Sequence, residues 1–347
     1  MKFNKVLIDW YLKNNRELPW RKTKNPYHIW LSEIMLQQTR VAQGLPYYLK
    51  FTEAFPTVFD LANADEEYVL KLWQGLGYYS RARNLHFTAK HVANDLNGEF
   101  PNTYKGLLKL KGVGDYTASA VASICFNEAA AVVDGNVYRV LARYYGIDTA
   151  INSTKGIKEF KELAQQIIDA DRIGIYNQAI MDFGAIQCKP KNPDCTVCPL
   201  NESCVALEKS KVDVLPVKEK KLKVKKRFFN YLVLNINNKT ILKKRVGKGI
   251  WEGLFEFPLI ETSKSIQVEE LISNQEFVGF FPNDAKIKLF NSKDIIHKLS
   301  HQHLHTKFWI VEGKTTNQQV VNWDNIDTYP VPILIHNFLN EYKTSKN

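Results

Sequence analysis

Four of the chain's five cysteines, Cys188, Cys195, Cys198 and Cys204, stand in one stretch spaced C-x6-C-x2-C-x5-C. Whatever this chain folds into must contain a short loop that brings four thiols together. The N-terminal stretch MKFNKVLIDWYLKNNRELPW mixes charge with apolar residues at helical spacing and has no continuous apolar run, so it reads as a folded helix and not an export signal. A chain without such a signal is expected in a reducing cytoplasm, where clustered thiolates hold a metal more often than they form disulfides. Structural zinc typically takes two C-x2-C pairs across a longer spacer. One C-x2-C flanked by single cysteines suits a compact loop around a [4Fe–4S] cluster better. The spacing therefore favours the cluster and leaves zinc open. The loop also carries Lys189, Pro190, Lys191 and Pro193, so the metal's expected role is architectural, stiffening a basic surface. The fifth cysteine, Cys125, sits in the apolar run ASAVASICF and reads as an inert core thiol.

With 347 residues, 45% of them hydrophobic, the chain can build two ordinary domains, each with its own core. No stretch approaches the roughly 18 to 20 uncharged apolar residues of a membrane span. The net charge of +11 and a pI near 9.2 favour a polyanionic partner, nucleic acid first. Residues 211–227 hold eight Lys/Arg against Asp213 and Glu219, include Pro216 and lack an apolar period. They read as a linker between halves of different texture, either a solvated tether or one that lies along a phosphate backbone. Upstream, apolar spacing at i, i+3, i+4 predicts helices over 27–40, 57–74, 115–126, 136–145 and 156–170. Downstream, FFNYLVLNI and TILKKRV flank Asn237-Asn238 as a hairpin would, and KFWIVEG reads as a further strand.

Within the helical half, LKLKGVGDYTASAVASI places Gly112-Val113-Gly114 between two helical patterns. Such a turn leaves backbone N–H groups uncovered at the positive end of the next helix, which suits a phosphate, although a Gly-x-Gly alone is only a tight connector. LWQGLGYYSRARNL sets two tyrosines and two arginines after a second Gly-x-Gly, a composition that stacks on bases or fills a gap in a duplex.

Taken in order, LPWR, LSEIMLQQTRV, GLGYYSRARNL, LKGVGDYTASAV, VVDGNVYRVLAR, NQAIMDFGA and the cysteine loop resemble the adenine DNA glycosylases, the MutY-type branch of the helix-hairpin-helix glycosylases. The resemblance covers about residues 3–206. It implies a mostly α N-terminal half, a helix-hairpin-helix glycosylase domain over 1–210 including the iron–sulfur loop 188–204. A basic linker (211–227) and an α/β Nudix-like C-terminal domain (228–347) follow. The implied activity is monofunctional: excision of adenine mispaired with 8-oxoguanine or guanine in duplex DNA, by a DNA-associated cytoplasmic monomer that flips the base.

Breaking an adenine–deoxyribose bond requires an acid to improve the leaving group and a negative charge beside an oxocarbenium-like sugar, so two carboxyls of opposite tuning are needed. Glu33 lies in IWLSEIMLQQ among apolar neighbours, where desolvation raises a carboxyl pKa. Taken alone it is a half-exposed helix glutamate paired with a base. Asp134 precedes a helix beginning near Asn136, where hydrogen bonds and the dipole are expected to hold it ionised, and its plain alternative is an ordinary N-cap. The resemblance assigns Glu33 as the acid at adenine N7 and Asp134 as the carboxylate beside the sugar cation. Bifunctional relatives carry a Schiff-base lysine where this chain has Tyr116, and a phenol cannot form an imine. Lys109 and Lys111 lie on the other side of the hairpin. The resemblance further implies that Arg21 lines the adenine pocket and that Gln38 and Tyr78 wedge into the duplex.

Residues 229–342 resemble the Nudix-like domain of the same family, most clearly at GIWEGLFEFP. The hydrolase run G-x5-E-x7-R-E-x2-E-E, which binds Mg²⁺, is missing after Pro258, so this domain is expected to bind without hydrolysing. LSHQHLHTKFW resembles the loop that meets 8-oxoguanine through Ser300 and His301, with Leu299 where Phe is common. His301, His303 and His305 alternate and would share a strand face, which makes a zinc site conceivable. Three other readings compete: a thymine or general mismatch glycosylase on the same scaffold, a damage-sensing DNA binder without catalysis, and a nucleotide pyrophosphohydrolase.

Overall fold

A computed structural model describes residues 3–219, 224–281, 285–313 and 320–345. In it the chain divides into two units, one of residues 1–63 and 84–220, the other of residues 64–83 and 221–347.

The first unit is helical. Pro at N1 and the Asn25 side chain, which accepts from Tyr27 N, start the helix Pro26–Leu36. The pattern predicted this helix to run on to residue 40, but it ends at Leu36, where Gln37 turns to ψ 115° and Gln38 follows left-handed at φ 56°. Eight of its residues are buried, Glu33 among them. The hairpin helix Asp115–Phe126 begins after Gly114 without a side-chain cap. Gly112 takes φ 81°, and a Cβ there would stand 2.7 Å from Asn84 Cβ, so a glycine is required on both counts. Asp134 caps the helix Gly135–Tyr145, whose Val137, Val140 and Leu141 enter a core shared with Leu7, Ile8, Phe160, Ile180 and Phe183. Ile173–Ile186 packs against both that helix and Phe3–Asn14.

The second unit contains a mixed sheet. Lys225–Leu234 lies at its centre, antiparallel to Leu259–Thr262 and parallel to Gln302–Glu312, which also pairs antiparallel with Lys286–Leu289 and Ile295–Lys298. A ten-residue parallel register between segments so far apart in sequence leaves no local signature, so it was not predicted. The turn expected at Asn237-Asn238 forms, both residues left-handed, with Ile236 and Lys239 bridged across it. Its ladder goes no further, because Lys239–Ile241 pairs with Val320–Asn322 instead. Tyr231, Phe308 and Phe338 stack behind the sheet.

Two expected boundaries move. The helix predicted over 57–74 is two helices, Val58–Asn63 and Glu66–Leu72, and the second belongs to the second unit. Segment 64–83 is fixed there by polar bonds. Lys244 Nζ donates to Glu67 Oε1 at 2.8 Å, Lys71 Nζ to the Tyr329 carbonyl at 3.2 Å, and Arg83 to the Glu252 carbonyl and carboxylate at 2.5 and 3.0 Å. The expected linker 211–227 is not a free tether over its described length. Leu215 is buried in the first unit, Ile151 N donates to the Val217 carbonyl at 3.0 Å, and Lys225–Arg227 already belong to the central strand. Residues 220–223 of that linker lie outside the described residues. Among the described residues no helix is long and apolar enough to cross a membrane.

Candidate active site

One cavity of about 930 Å3 in the first unit collects six of the residues singled out from the sequence: Arg21, Glu33, Gln38, Gly114, Tyr116 and Asp134. Glu33 reaches it from a helix that is apolar on nearly every side and is itself only 7% exposed. Burial pushes its carboxyl up to about 7, helped by the Asp134 charge and opposed by the Tyr116 hydroxyl and Arg21. At neutral pH such a group still holds much of its proton. The Tyr116 hydroxyl faces it and donates to Met181 Sδ at 3.1 Å, and burial beside two carboxyls drives this phenol's pKa well upward. It is a neutral hydrogen-bonding group between Glu33 and Asp134.

Asp134 departs from expectation in its titration. As foreseen it is the N-cap: Oδ1 accepts from Asn136 N at 2.9 Å and Val137 N at 2.8 Å, and Oδ2 from Asn136 Nδ2 at 2.7 Å. These donors and Arg139 pull its pKa down, but burial outweighs them and leaves it above the usual carboxylate range. The carboxylate held low is another one. Asp182, fully buried at 0% exposure, receives Arg21 in a fork at 2.6 and 2.7 Å, Arg16 Nε at 2.9 Å and Arg16 N at 3.2 Å. Burial pushes the Asp182 carboxyl up, yet the two guanidinium groups prevail and hold it below its ordinary value. Arg21 is thereby pinned on the cavity wall, its Cζ 5.6 Å from the Tyr11 ring, whose hydroxyl donates to Gln178 Oε1 at 2.6 Å. Sequence reasoning missed Asp182 and Arg16. The signal was there: a lone carboxylate in the apolar run QAIMDFGA must find a cation if it is buried.

The hairpin residues Gly112, Val113 and Gly114 sit at the start of the uncapped helix, with Val113 buried and Gly114 on the cavity rim. Gln38 is exposed and left-handed on the same cavity.

The helix capped by Asp134 also carries the cysteine loop. Arg139 Nε donates to the Cys188 carbonyl at 2.7 Å, and another of its guanidinium nitrogens to Asn136 Oδ1 at 2.9 Å. Arg143 reaches the Lys189 and Pro190 carbonyls at 2.7 and 3.3 Å and Cys188 Sγ at 3.4 Å. Cys188, Cys195, Cys198 and Cys204 line one apolar pocket. Burial pushes the Cys198 thiol up to about 11, and the three neighbouring thiols push the same way. As placed, no three His, Cys, Asp or Glu side chains among the described residues are grouped to hold a metal ion. The donor set is nonetheless all sulfur around a single pocket, which fits a four-thiolate group. Cys125 is a partly buried thiol raised to about 12, chiefly by burial.

In the second unit, Ser300 and His301 are the exposed two-residue turn joining Ile295–Lys298 to Gln302–Glu312, closed by Leu299 N donating to the Gln302 carbonyl at 2.9 Å. Tyr78, assigned from the sequence to the helical half, belongs here, and its hydroxyl lies 2.8 Å from Ser300 Oγ. Of the three alternating histidines, His303 and His305 lie on the strand; His305 has Asp294 at 3.8 Å and the Phe228 ring at 5.0 Å.

Residues 31–168 match the HhH-GPD superfamily of base excision DNA repair proteins, and residues 230–341 a NUDIX domain. The chain is 37% identical to an adenine DNA glycosylase of Buchnera aphidicola subsp. Baizongia pistaciae, across 94% of this chain and 91% of that one. Among solved structures, a thermostable thymine-DNA glycosylase matches with TM-score 0.56 and 33% identity over 60% of this chain and 95% of its own. Endonuclease III in a non-covalent complex with DNA matches with TM-score 0.52 and 25% identity, over 60% and 94%.

The Asp182 pairing makes a prediction with a definite sign. Its folded pKa is depressed, so its stabilisation is present above the unfolded value of roughly 3.9 and is lost as pH falls through the folded one. Asp182→Asn should cost about 3–5 kcal/mol at pH 7, by the cost of breaking a buried pair, and the gap to the parent should shrink as pH drops below about 4. Denaturant unfolding across that pH range measures both. A pH-independent gap would contradict the pairing.

Proposed function

The chain belongs to the adenine DNA glycosylase family, and on that premise we propose that it excises adenine paired with 8-oxoguanine or guanine in duplex DNA. The observation that carries this reading is Glu33: a buried carboxyl raised to about 7 on the same cavity as a second carboxyl, Asp134.

With the base flipped into this cavity, Glu33 gives its proton to adenine N7, and the neutral base becomes the leaving group. The sugar left behind carries developing positive charge. Asp134 supplies the opposing charge, and three N–H donors on its oxygens favour the anionic form against burial. Water then completes hydrolysis. Arg21, held by the Asp182 carboxylate that it shares with Arg16, places its guanidinium on the pocket wall. Tyr116 in place of a lysine supports base removal without an imine. The lining of the cavity includes arginines and, among the described residues, no lysine.

Adenine is undamaged, so discrimination must come from the base opposite, where oxidation adds O8 and turns N7 into an N–H donor. Ser300 and His301, exposed on a tight turn with the Tyr78 hydroxyl at hand, offer groups for that altered edge. Gln38 and Gly112–Gly114 would hold the duplex and its backbone. Cys188, Cys195, Cys198 and Cys204 would hold a [4Fe–4S] cluster. When bound, the cluster would stiffen the loop that Arg139 and Arg143 tie to the Asp134 helix. The thymine alternative has the similarity to a thymine-DNA glycosylase behind it, but that match covers 60% of this chain, whereas the adenine-type relative extends over 94%.

Duplexes carrying A, T or G opposite 8-oxoguanine, compared with and without alkali, should show alkali-dependent cleavage at A alone. Single-turnover release should fall as pH rises through about 7, where Glu33 loses its proton. Glu33→Gln should lose at least about 10²-fold, the lower range for a general acid. Near-normal release by that variant would remove the acid from Glu33. Prepared without oxygen, the protein should be yellow-brown with about four irons per chain. Stoichiometric zinc in a colourless, active preparation would overturn the cluster.

A further inference from the structure

The loop Gly75-Leu76-Gly77-Tyr78 takes positive φ at three of its four residues: 98° at Gly75, 80° at Gly77 and 49° at Tyr78. Left-handed backbone suits glycine but strains a tyrosine, so surrounding contacts must impose it. The contacts are specific. Trp73 Nε1 donates to the Gly77 carbonyl at 3.0 Å, and Gly75 N donates to the Tyr79 hydroxyl at 3.2 Å. Arg81, only 8% exposed, donates to the Gly77 carbonyl at 3.0 Å and to the Leu76 carbonyl at 3.4 Å. Its Cζ also lies 5.1 Å from the Trp73 ring and 5.6 Å from the Tyr78 ring. Tyr78 itself is 47% exposed and reaches Ser300.

A cation buried this far is dear, and burial lowers the Arg81 pKa to about 10. At so low an exposure the guanidinium is not available to a phosphate. It lies against the Trp73 ring and the face of the exposed Tyr78, and donates to the two carbonyls that precede Tyr78. We propose that Arg81 is a positioning residue that sets the pose of the Tyr78 ring for its meeting with the nucleotide opposite adenine. This rests on the proposed lesion-reading role of Tyr78 and Ser300 and adds the element that holds Tyr78 in place. Cation–π contact fixes the ring plane, and one guanidinium nitrogen shared between consecutive carbonyls fixes the backbone that carries it.

The test has two readouts on the full chain. In tyrosine-labelled protein, with the Tyr78 ring signal assigned through Tyr78→Phe, Arg81→Met should shift and broaden that signal. The preference for A opposite 8-oxoguanine over A opposite guanine should fall about 3- to 10-fold in Arg81→Met, as loss of a partly desolvated cation–π contact implies. Adding Arg81→Met to Tyr78→Ala should change that preference by no more than about twofold, since both act through one ring. Arg81→Lys keeps charge and stem but loses the planar guanidinium, and should move both readouts the same way should Arg81→Met fail to fold. An unmoved Tyr78 signal, an equal loss on both duplexes, or effects that multiply in the double variant would overturn the proposal. An intact preference in Tyr78→Ala would instead overturn the lesion role of Tyr78, and the ring signal would still decide whether Arg81 positions it.

Discussion

A carboxyl moved from water into a protein interior must find a cation, collect donors or keep its proton, and the helical unit contains one example of each. Asp182 takes two arginines, Asp134 takes three N–H donors, and Glu33, buried among apolar side chains, is left with its proton. Glu33 depends on a helix, Pro26–Leu36, that is buried on nearly every face. Were that helix amphipathic, Glu33 would be an ordinary exposed glutamate with nothing to donate near neutrality. The cavity's chemistry is thus a by-product of how completely one helix is enclosed.

The second carboxyl depends on a different support. Asp134 begins the helix Gly135–Tyr145, and Arg139 and Arg143, one and two turns further on, hold the carbonyls of the cysteine loop. Gly146 ends the helix at φ 71°, where a Cβ would meet Val205 Cγ1 at 2.4 Å, so the residue after Cys204 packs directly on the turn. The cysteine loop and the N-cap are thus attached to the same helix.

The parts legible in the sequence were those set by local rules. An apolar helix around Glu33, a cap before a helix, a glycine hairpin and the turn at Asn237-Asn238 all follow from spacing and residue type. What stayed hidden depended on distant partners. Nothing in residues 64–83 says that they join the second unit, because the bonds that fix them come from Lys244, Glu252 and Tyr329, more than 160 positions away. The parallel pairing of Lys225–Leu234 with Gln302–Glu312 is equally silent. Asp134 was misjudged in direction because counting donors ignores burial, and burial can only be seen once the neighbouring elements are in place.

The central claim is that Glu33 carries a proton where an exposed glutamate does not. Titrating the side-chain carboxyl by 13C NMR in glutamate-labelled protein, with the signal assigned through Glu33→Gln, measures this without reference to turnover. The account predicts a midpoint near 7. A midpoint in the ordinary range, about 4.3, would mean that the carboxyl is solvated in solution and that the proposed acid is already spent at neutral pH.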